Sequence, residues 1–376
     1  MENTEKINII GKYGDRTRLL DWRKPSLGTR IKNAYTMLEV QGLGPFLYKI
    51  RRLAYRKVTN LARKIYPYAG KRLRERAMEY TETKGFPFKL SIVISMLGQH
   101  DMTQFCLNKV IEHHKEDLEI LIVDNGGDFT PEIPSKSGGP FTLRVIIPPG
   151  GNLGVYPVYK FGMENTTGDI VLFIHNDLMI DEDGFDIFVK YLFATKDKLG
   201  LLGFVGSDEI NEHGGKGYGT TSNFEAKTYT YKDKSWTGGD ALIYGSRYDG
   251  FTNAVILDGL AMAFRRKAYE KIDYRPKFPP NHFHDRLVPC QILEAGYTVG
   301  VLGIACDHMD AQTRTNEKKY QSIVQGWCEK NNTQKFMDDS GNVSWEYTIH
   351  FEAQRQFLKE WRDQKHFIPR KVRQWL

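Results

Sequence analysis

Two apolar runs in this chain end in acidic or amide side chains, and those ends are where the sequence could bind and move charge. The first is Ile120-Leu-Ile-Val-Asp124-Asn-Gly-Gly127. A carboxylate at the carboxyl end of a strand, followed by a glycine turn, can accept hydrogen bonds from the imide or amide edge of a nucleobase, although many α/β proteins end a strand in Asp-Asn-Gly with no ligand at all. The second is Val171-Leu-Phe-Ile-His175-Asn176-Asp177. A carboxylate there can hold Mg²⁺ or Mn²⁺, hard cations that prefer oxygen and bridge to a diphosphate, or it can simply close a turn. Around these runs stand Ser95 at the end of another apolar run, Gly150-Gly-Asn152-Leu-Gly154, Asp258-Gly259, His284-Asp285 and His308. His282 and His284 form a His-x-His pair that could serve a transition metal of its own, and His308 taken alone suits a core or surface position equally well.

Elements of the right kind lie beneath these residues. Leu90–Met96, Glu119–Asp124, Leu143–Ile147, Asp169–Ile174 and Leu201–Val205 read as short buried strands, with stretches long enough for helices between several of them. That alternation predicts an α/β fold with a mainly parallel, doubly wound sheet, whose ligands bind at the carboxyl ends of the strands. Residues 211–250 break the rhythm with many glycines and with Tyr218, Tyr229, Tyr231, Trp236 and Tyr244, as a hairpin-rich insertion or a substrate lid would. Beyond His308 the chain reads as helical again, except that Val343, Trp345, Tyr347, Ile349 and Phe351 alternate like a strand.

Composition excludes several classes. Hydrophobic residues at 40% and charged residues at 26% are ordinary for a folded globular protein, which argues against disorder and fibrous repeats. No window of roughly 18 uncharged apolar residues offers a membrane span, and Met1 to Asp15 is too polar for a secretory signal, so the expected location is cytoplasmic. Four scattered cysteines lack zinc or disulfide spacing and read as buried free thiols. The net charge of +7 is unevenly spread: residues 1–88 hold 20 Lys/Arg against 8 Asp/Glu, a net of +12 that leaves −5 for the remainder. Within that leader, Leu47, Ile50, Ala54, Val58, Leu61 and Ile65 mark one face of a helix that Pro67 ends, and Lys49, Arg51, Arg52, Arg56, Lys57, Arg63 and Lys64 line the others. Such a helix suits peripheral contact with an anionic membrane, or packing on the rest of the protein with a solvated basic face. No nucleic-acid-binding motif accompanies the basic charge.

In series, these elements resemble the family 2 glycosyltransferases, particularly their rhamnosyltransferase-like branch. The resemblance runs over about 220 residues: Ser91-Ile-Val-Ile-Ser95, Asp124, Asn152 to Gly154, His175-Asn176-Asp177, Asp258-Gly-Leu-Ala-Met262 with Arg265 and Arg266, His284-Asp285 twelve residues before Tyr297, and His308. His175 stands where that family has Asn or Asp, and His284 where it has Glu. The resemblance implies a GT-A fold over residues 88–311, with 211–250 as an insertion or acceptor loop, a basic and mainly helical leader over 1–87, and a helical extension over 312–376.

It also implies roles. Ser95, Asp124, Asn152, Gly154, Asn176 and Asp177 would bind a nucleoside diphosphate sugar, and Asp177 with His308 would hold Mn²⁺ or Mg²⁺. Asp258, Gly259 and His284 would meet a glycan or lipid-linked acceptor. Asp285, at a helix start behind Pro279-Pro280, would act as general base of an inverting transfer. The aromatics of the insertion could stack on sugar rings or close a small core of their own. A sugar-nucleotide pyrophosphorylase would need a glycine-rich basic loop after the first strand, and Met96-Leu-Gly-Gln-His100 is not one. A catalytically degenerate GT-A protein, kept as a glycan-binding or scaffold subunit, is the alternative that the two histidine replacements raise.

Overall fold

The computed structural model describes residues 68–210, 214–216, 220–222, 224, 227–239, 246–247, 249–309, 318–337 and 341–361. The helix read over Phe46 to Tyr66 lies outside the described residues, as do Tyr218 and Tyr244. The chain divides into two compact units, Met1–Tyr66 with Gln334–Thr348, and Pro67–Thr333 with Ile349–Leu376.

The larger unit opens with α1 (Tyr68–Thr83), then β1 (Leu90–Met96), α2 (His100–His113), β2 (Leu118–Asp124), β3 (Phe141–Ile146), α3 (Val155–Glu164), β4 (Ile170–His175), β5 (Leu178–Ile180), α4 (Phe185–Thr195) and β6 (Leu199–Gly203). Short strands follow: β7 (Gly206–Ser207), β8 (Thr220–Ser222), β9 (Thr228–Tyr231), β10 (Lys234–Thr237), β11 (Ser246–Arg247), β12 (Phe251–Ala254) and β13 (Ile256–Leu257). The sheet then resumes with β14 (Ala261–Arg265), α5 (Arg266–Tyr269), α6 (His284–Glu294), β15 (Thr298–Leu302), β16 (Cys306–His308) and α7 (Lys318–Lys330).

Eight strands form one sheet in the order β12-β15-β6-β14-β4-β1-β2-β3. β4, β1, β2 and β3 are mutually parallel, β15 is parallel to β6, and β14 runs antiparallel between β4 and β6. The central strands are apolar almost throughout because helices cover both faces. Side-chain alternation sends Ile92 and Ile94 to one core with Leu107 and Phe193, and Val93 to the other with Tyr159, Phe264 and Leu287. Register aligns Ser95 with His175 and Met96 with Asp124, so the polar ends of β1, β2 and β4 share one rim.

Three details depart from or refine the sequence reading. Helix α1, within the expected leader, is tied to the sheet: Arg74 pairs with Glu182 and donates to the carbonyls of Asp249 at 2.6 Å and Gly303 at 2.9 Å. In the insertion, β9 and β10 form a hairpin whose Tyr229, Tyr231 and Trp236 rings lie 6.0, 5.4 and 6.4 Å from the Phe105 ring of α2, so these three aromatics close a local core. The alternation over 343–351 is not a strand. Trp345–Trp361 is a helix, α8. Ile349, Ala353, Phe357 and Trp361 recur every four residues and are fully buried, and burial of that stripe outweighs a period of two in its first turns. In the smaller unit, Ser344 starts this helix, its Oγ accepting from Tyr347 N–H at 3.3 Å. All four cysteines are buried and free, as expected. Among the described residues no helix is long and apolar enough to cross a membrane.

Candidate functional site

The strand ladder assembles one cluster directly. His175 ends β4, and Asp177 follows in the short turn that leads into β5. Between them, Asn176 donates through its Nδ2 to Thr103 Oγ1 at 2.8 Å. Antiparallel pairing of β5 with β16 sets His308 opposite Leu178, and Met309 N–H donates to the Asp177 carbonyl at 2.9 Å. His308 Nε2 consequently lies 3.0 Å from Asp177 Oδ1, and His175 Nδ1 lies 3.9 Å from the same oxygen.

One ligating atom from each of His175, Asp177 and His308 falls within 4.8 Å of the others. His175 Nε2 is buried with no hydrogen-bond partner among the described residues. A carboxylate and two imidazoles converging in this way fit a divalent ion. Burial works against the charged form of Asp177, but the His308 imidazole, with help from His175, outweighs it and holds the carboxyl at about 2. Burial pushes the His175 imidazole below its ordinary value, against the pull of Asp177.

A second group of charges stands on the same cavity. Asp258, between β13 and β14, forms an ion pair with Lys216 of the insertion. Burial opposes its ionisation, yet the Lys216 ammonium keeps the carboxyl well below the usual range. Asp285 sits in the first turn of α6 and its Oδ2 pairs with the adjacent Arg286, while Oδ1 is buried without a partner among the described residues. Arg286 likewise overcomes burial and lowers the Asp285 pKa. His284 packs edge-on to Tyr159, and both of its ring nitrogens are buried without a hydrogen bond among the described residues. Burial, opposed by Asp285, lowers its pKa to about 4, so its ring is neutral at pH 7. Gly259 is required beside it: a Cβ there would stand 2.7 Å from His284 Nε2.

The third part is the N-terminus of α3. Gly154, at φ +77°, precedes the helix, and a Cβ on it would come within 2.6 Å of Pro280. The loop before α6 caps the helix from outside: Asn281 Oδ1 accepts from Val155 N–H at 3.1 Å and the Pro280 carbonyl from Tyr156 N–H at 2.7 Å. Asn152 Oδ1 accepts from Gly154 N–H at 2.7 Å, and Asn125 Oδ1 from Leu153 N–H at 3.0 Å. Asn125 also reaches Ser95 Oγ, at 3.3 Å.

These three parts line one cavity of about 290 Å³, which includes Ser95, Asn152, Gly154, Asn176, Asp177, Asp258, Gly259, His284, Asp285 and His308. Asp124 is not among the lining residues. It is 1% exposed, and its two oxygens accept from the N–H groups of Gly126, Gly127 and Phe129, so its carboxylate holds the turn after β2. Asn125, the next residue, faces the cavity in its place. Asn281, His282, Arg286 and Tyr320 also line it without having been singled out for it by the sequence. The Pro279-Pro280 loop was a signal for Asn281, whereas nothing local marks Tyr320, which α7 brings in from the C-terminal extension.

Residues 91–272, just under half of the chain, match the family model described as Glycosyl transferase family 2. The match takes in every site residue from Ser95 to Gly259 and stops short of His284, Asp285 and His308. It spans β1 to α5, and the mainly parallel sheet with helices on both faces is the GT-A arrangement expected from the sequence. No curated protein matches the sequence. Among solved structures, a mannosyltransferase from Pyrobaculum calidifontis in complex with GDP-Man and Mn²⁺ is similar at 14% identity, over 80% of this chain and 81% of that chain, with a TM-score of 0.38. GalNAc-T7 with UDP, GalNAc and Mn²⁺ is similar at 9% identity, over 66% of this chain and 49% of that one, with a TM-score of 0.36. Residues 1–349 of TarS from S. aureus are similar at 11% identity, over 73% of each chain, with a TM-score of 0.34.

Proposed function

We propose that this protein transfers a sugar from a nucleoside diphosphate sugar to a hydroxyl of a glycan or lipid-linked acceptor, with inversion at the anomeric carbon. The observation that carries the reading is the convergence of His175, Asp177 and His308 on the same cavity as Asp285, at the end of a sheet that matches the transferase family. Asp177 and His308 would hold Mn²⁺ or Mg²⁺, which when bound would neutralise charge on the leaving diphosphate. Ser95 and Asn125 are placed to meet the nucleoside side of the donor, and Asp258, Gly259 and His284 the sugar or acceptor side.

Asp285 is the proposed general base. Its Oδ2 is held by Arg286, which fixes the carboxylate, and its unpartnered Oδ1 is left to accept the proton of the attacking hydroxyl. A lowered pKa keeps it ionised at neutral pH. We place the chain in the rhamnosyltransferase-like branch of the family on its Asp258-Gly-Leu-Ala-Met262 segment. The basic leader, residues 1–87, would hold the enzyme peripherally on the cytoplasmic face of an anionic membrane, at about 1 kcal/mol per well-placed Lys or Arg.

The deciding experiment incubates purified protein with a panel of nucleotide sugars, with Mn²⁺, Mg²⁺ or EDTA, and reads released nucleoside diphosphate and the anomeric configuration of the product. Metal-independent turnover or retention of configuration would refute the mechanism. No turnover with any donor, together with binding of glycans, would favour the degenerate scaffold subunit. For the leader, flotation of the full chain with anionic liposomes should fall when Lys49, Arg51, Arg52, Arg56, Lys57, Arg63 and Lys64 become Gln. Unchanged flotation would remove the membrane role.

A further inference from the structure

Helix α8 lies in the C-terminal extension, beyond the family match at residues 91–272, yet one of its buried rings meets the residue that starts α6 and so precedes Asp285. We propose that Phe357 of α8 and Phe283 at the start of α6 are positioning residues for the transfer, an aromatic pair that holds in place both cations, Arg286 and Lys216, by which Asp285 and Asp258 are oriented. The inference rests on the reading of Asp285 as general base. It goes beyond that reading by giving catalytic weight to a helix outside the family resemblance.

The contacts run unbroken from α8 to the carboxylate. Phe357 is fully buried, and its ring centroid lies 5.7 Å from that of Phe283 at an interplanar angle of 47°. His350, earlier on α8, adds an edge-on contact with Phe283 at 5.3 Å. The Arg286 guanidinium stands over the Phe283 ring, 5.2 Å from its centroid and within cation–π range, and the same guanidinium pairs with Asp285. Phe283 needs such support. Its φ of +57° lies in the left-handed region, which a bulky side chain keeps only when its surroundings impose it. Its carbonyl accepts from Arg286 N–H at 3.1 Å and Leu287 N–H at 2.8 Å and so starts α6. If Phe283 relaxed to an ordinary backbone, the first turn of α6 would turn with it, carrying Asp285 and Arg286 away.

The second cation meets the same two rings. Gly214, at φ +76°, approaches so closely that a Cβ on it would stand 3.0 Å from the Phe283 ring and 3.1 Å from the Phe357 ring. Only glycine lets the chain settle there. Two residues on, Lys216 pairs with Asp258. One aromatic pair thus fixes the two segments that bring positive charge to the cavity. Buried rings contribute stability wherever they pack; what sets a positioning role apart is that their loss should act through Asp285.

The test measures kcat, KM and nucleotide affinity for full-length Phe357→Ala and Phe357→Leu, each also made in an Asp285→Asn background, with thermal melting to show which variants fold. Phe357→Ala should lower kcat about a hundredfold, the scale of a 1 Å misplacement of reacting groups, while nucleotide affinity stays within about twofold. Phe357→Leu, which keeps most of the volume, should come back to within about fivefold of wild type. In the Asp285→Asn background the alanine change should cost less than about threefold, because residues that act through one group are not additive with its loss. Equal losses in both backgrounds, or undiminished kcat in Phe357→Ala, would overturn the inference. If Phe357→Ala does not fold, Phe283→Asn carries the same comparison, since Asn tolerates the left-handed backbone and removes only the ring. A crystal structure of the folded variant gives a readout independent of turnover: the Arg286–Asp285 pair should have shifted by about 1 Å or more. An unmoved pair would overturn the inference as well. The two readings fail separately: wild-type protein that turns over no nucleotide sugar sinks the transferase assignment while the variant structure still decides this one, and normal wild-type transfer with an unmoved pair sinks only this one.

Discussion

The two acidic regions of the cavity differ in what stands beside each carboxylate. Among the described residues the side chains that pair with Asp177 are imidazoles, groups that can give up their protons, whereas Asp258 and Asp285 are paired with the permanent cations of Lys216 and Arg286. A carboxylate facing neutralisable partners is open to a metal ion. One latched to a fixed cation is oriented instead: Asp285 keeps Oδ1 without a partner among the described residues, whereas Asp258 Oδ1 accepts from Leu260 N–H at 3.3 Å. On the proposed reading the same residue type is divided between two tasks by its neighbours, which is how sites commonly separate roles.

Substitutions can break this contrast, and the largest effect is expected at the metal side. Asp177→Ala should cut metal-dependent turnover by on the order of 10³-fold or more, because a bound ion contributes several kcal/mol of charge stabilisation and each 1.36 kcal/mol is tenfold. Turnover equal to wild type, or wild-type turnover in excess EDTA, would erase the distinction. Next comes the base. Asp285→Asn should lower transfer by roughly 10²–10⁴-fold while donor affinity stays nearly intact. His284→Gln is its control, since a histidine is the competing base. Loss of transfer in the His284 variant with retention in the Asp285 variant would move the base to the histidine.

His284 also gives the contrast a pH signature. Its folded pKa of about 4 lies below the ordinary 6.5, so between those values the unfolded chain binds a proton that the folded one does not, and stability falls as pH falls. Urea unfolding of the metal-free protein should show this group contributing about 2 kcal/mol of lost stability between pH 7 and pH 5. His284→Gln should remove that share of the slope. An equal slope in both proteins would mean the imidazole is not held neutral. The smallest effect belongs to the latch: Lys216→Met should cost about 1–3 kcal/mol in urea unfolding, since it strands a carboxylate that is only partly solvated. A cost near zero would place Lys216 among ordinary surface pairs.

The rim of the sheet was legible because its strands are nearly pure apolar runs, and their polar ends mark where the chain leaves the core. Asp177 could be read from the end of such a run, and Asn152, Gly154 and Asp285 from the series that resembles the family 2 glycosyltransferases; the structure gathers them on one cavity. What the sequence could not show was partnership across distance. Lys216 reaches Asp258 from an insertion without helical or strand period, and Tyr320 arrives from a helix beyond the resemblance. Asp124 carries the residue type that a nucleobase contact needs, but three backbone N–H groups of its own turn occupy its oxygens first. Local hydrogen bonding of that kind is invisible to a motif. Only the first turns of the helix over Trp345–Trp361 were obscured, because aromatic residues at alternate positions satisfy a strand pattern there, whereas the run on to Trp361 already reads as helical.

The insertion of β14 between β4 and β6 has a consequence for how this protein is made. A ribosome delivers β1 through β4 early, and those strands can pair in parallel, but β4 is then an open edge. It stays open until every residue from Asn176 to Arg265 has been synthesised, including the whole glycine-rich insertion, and until that antiparallel strand docks. Over that interval an apolar strand with unpaired N–H and C=O groups is exposed to other nascent chains. Slow translation through residues 211–250 should therefore cost soluble yield, and a holding chaperone should restore it, without any change in the finished molecule.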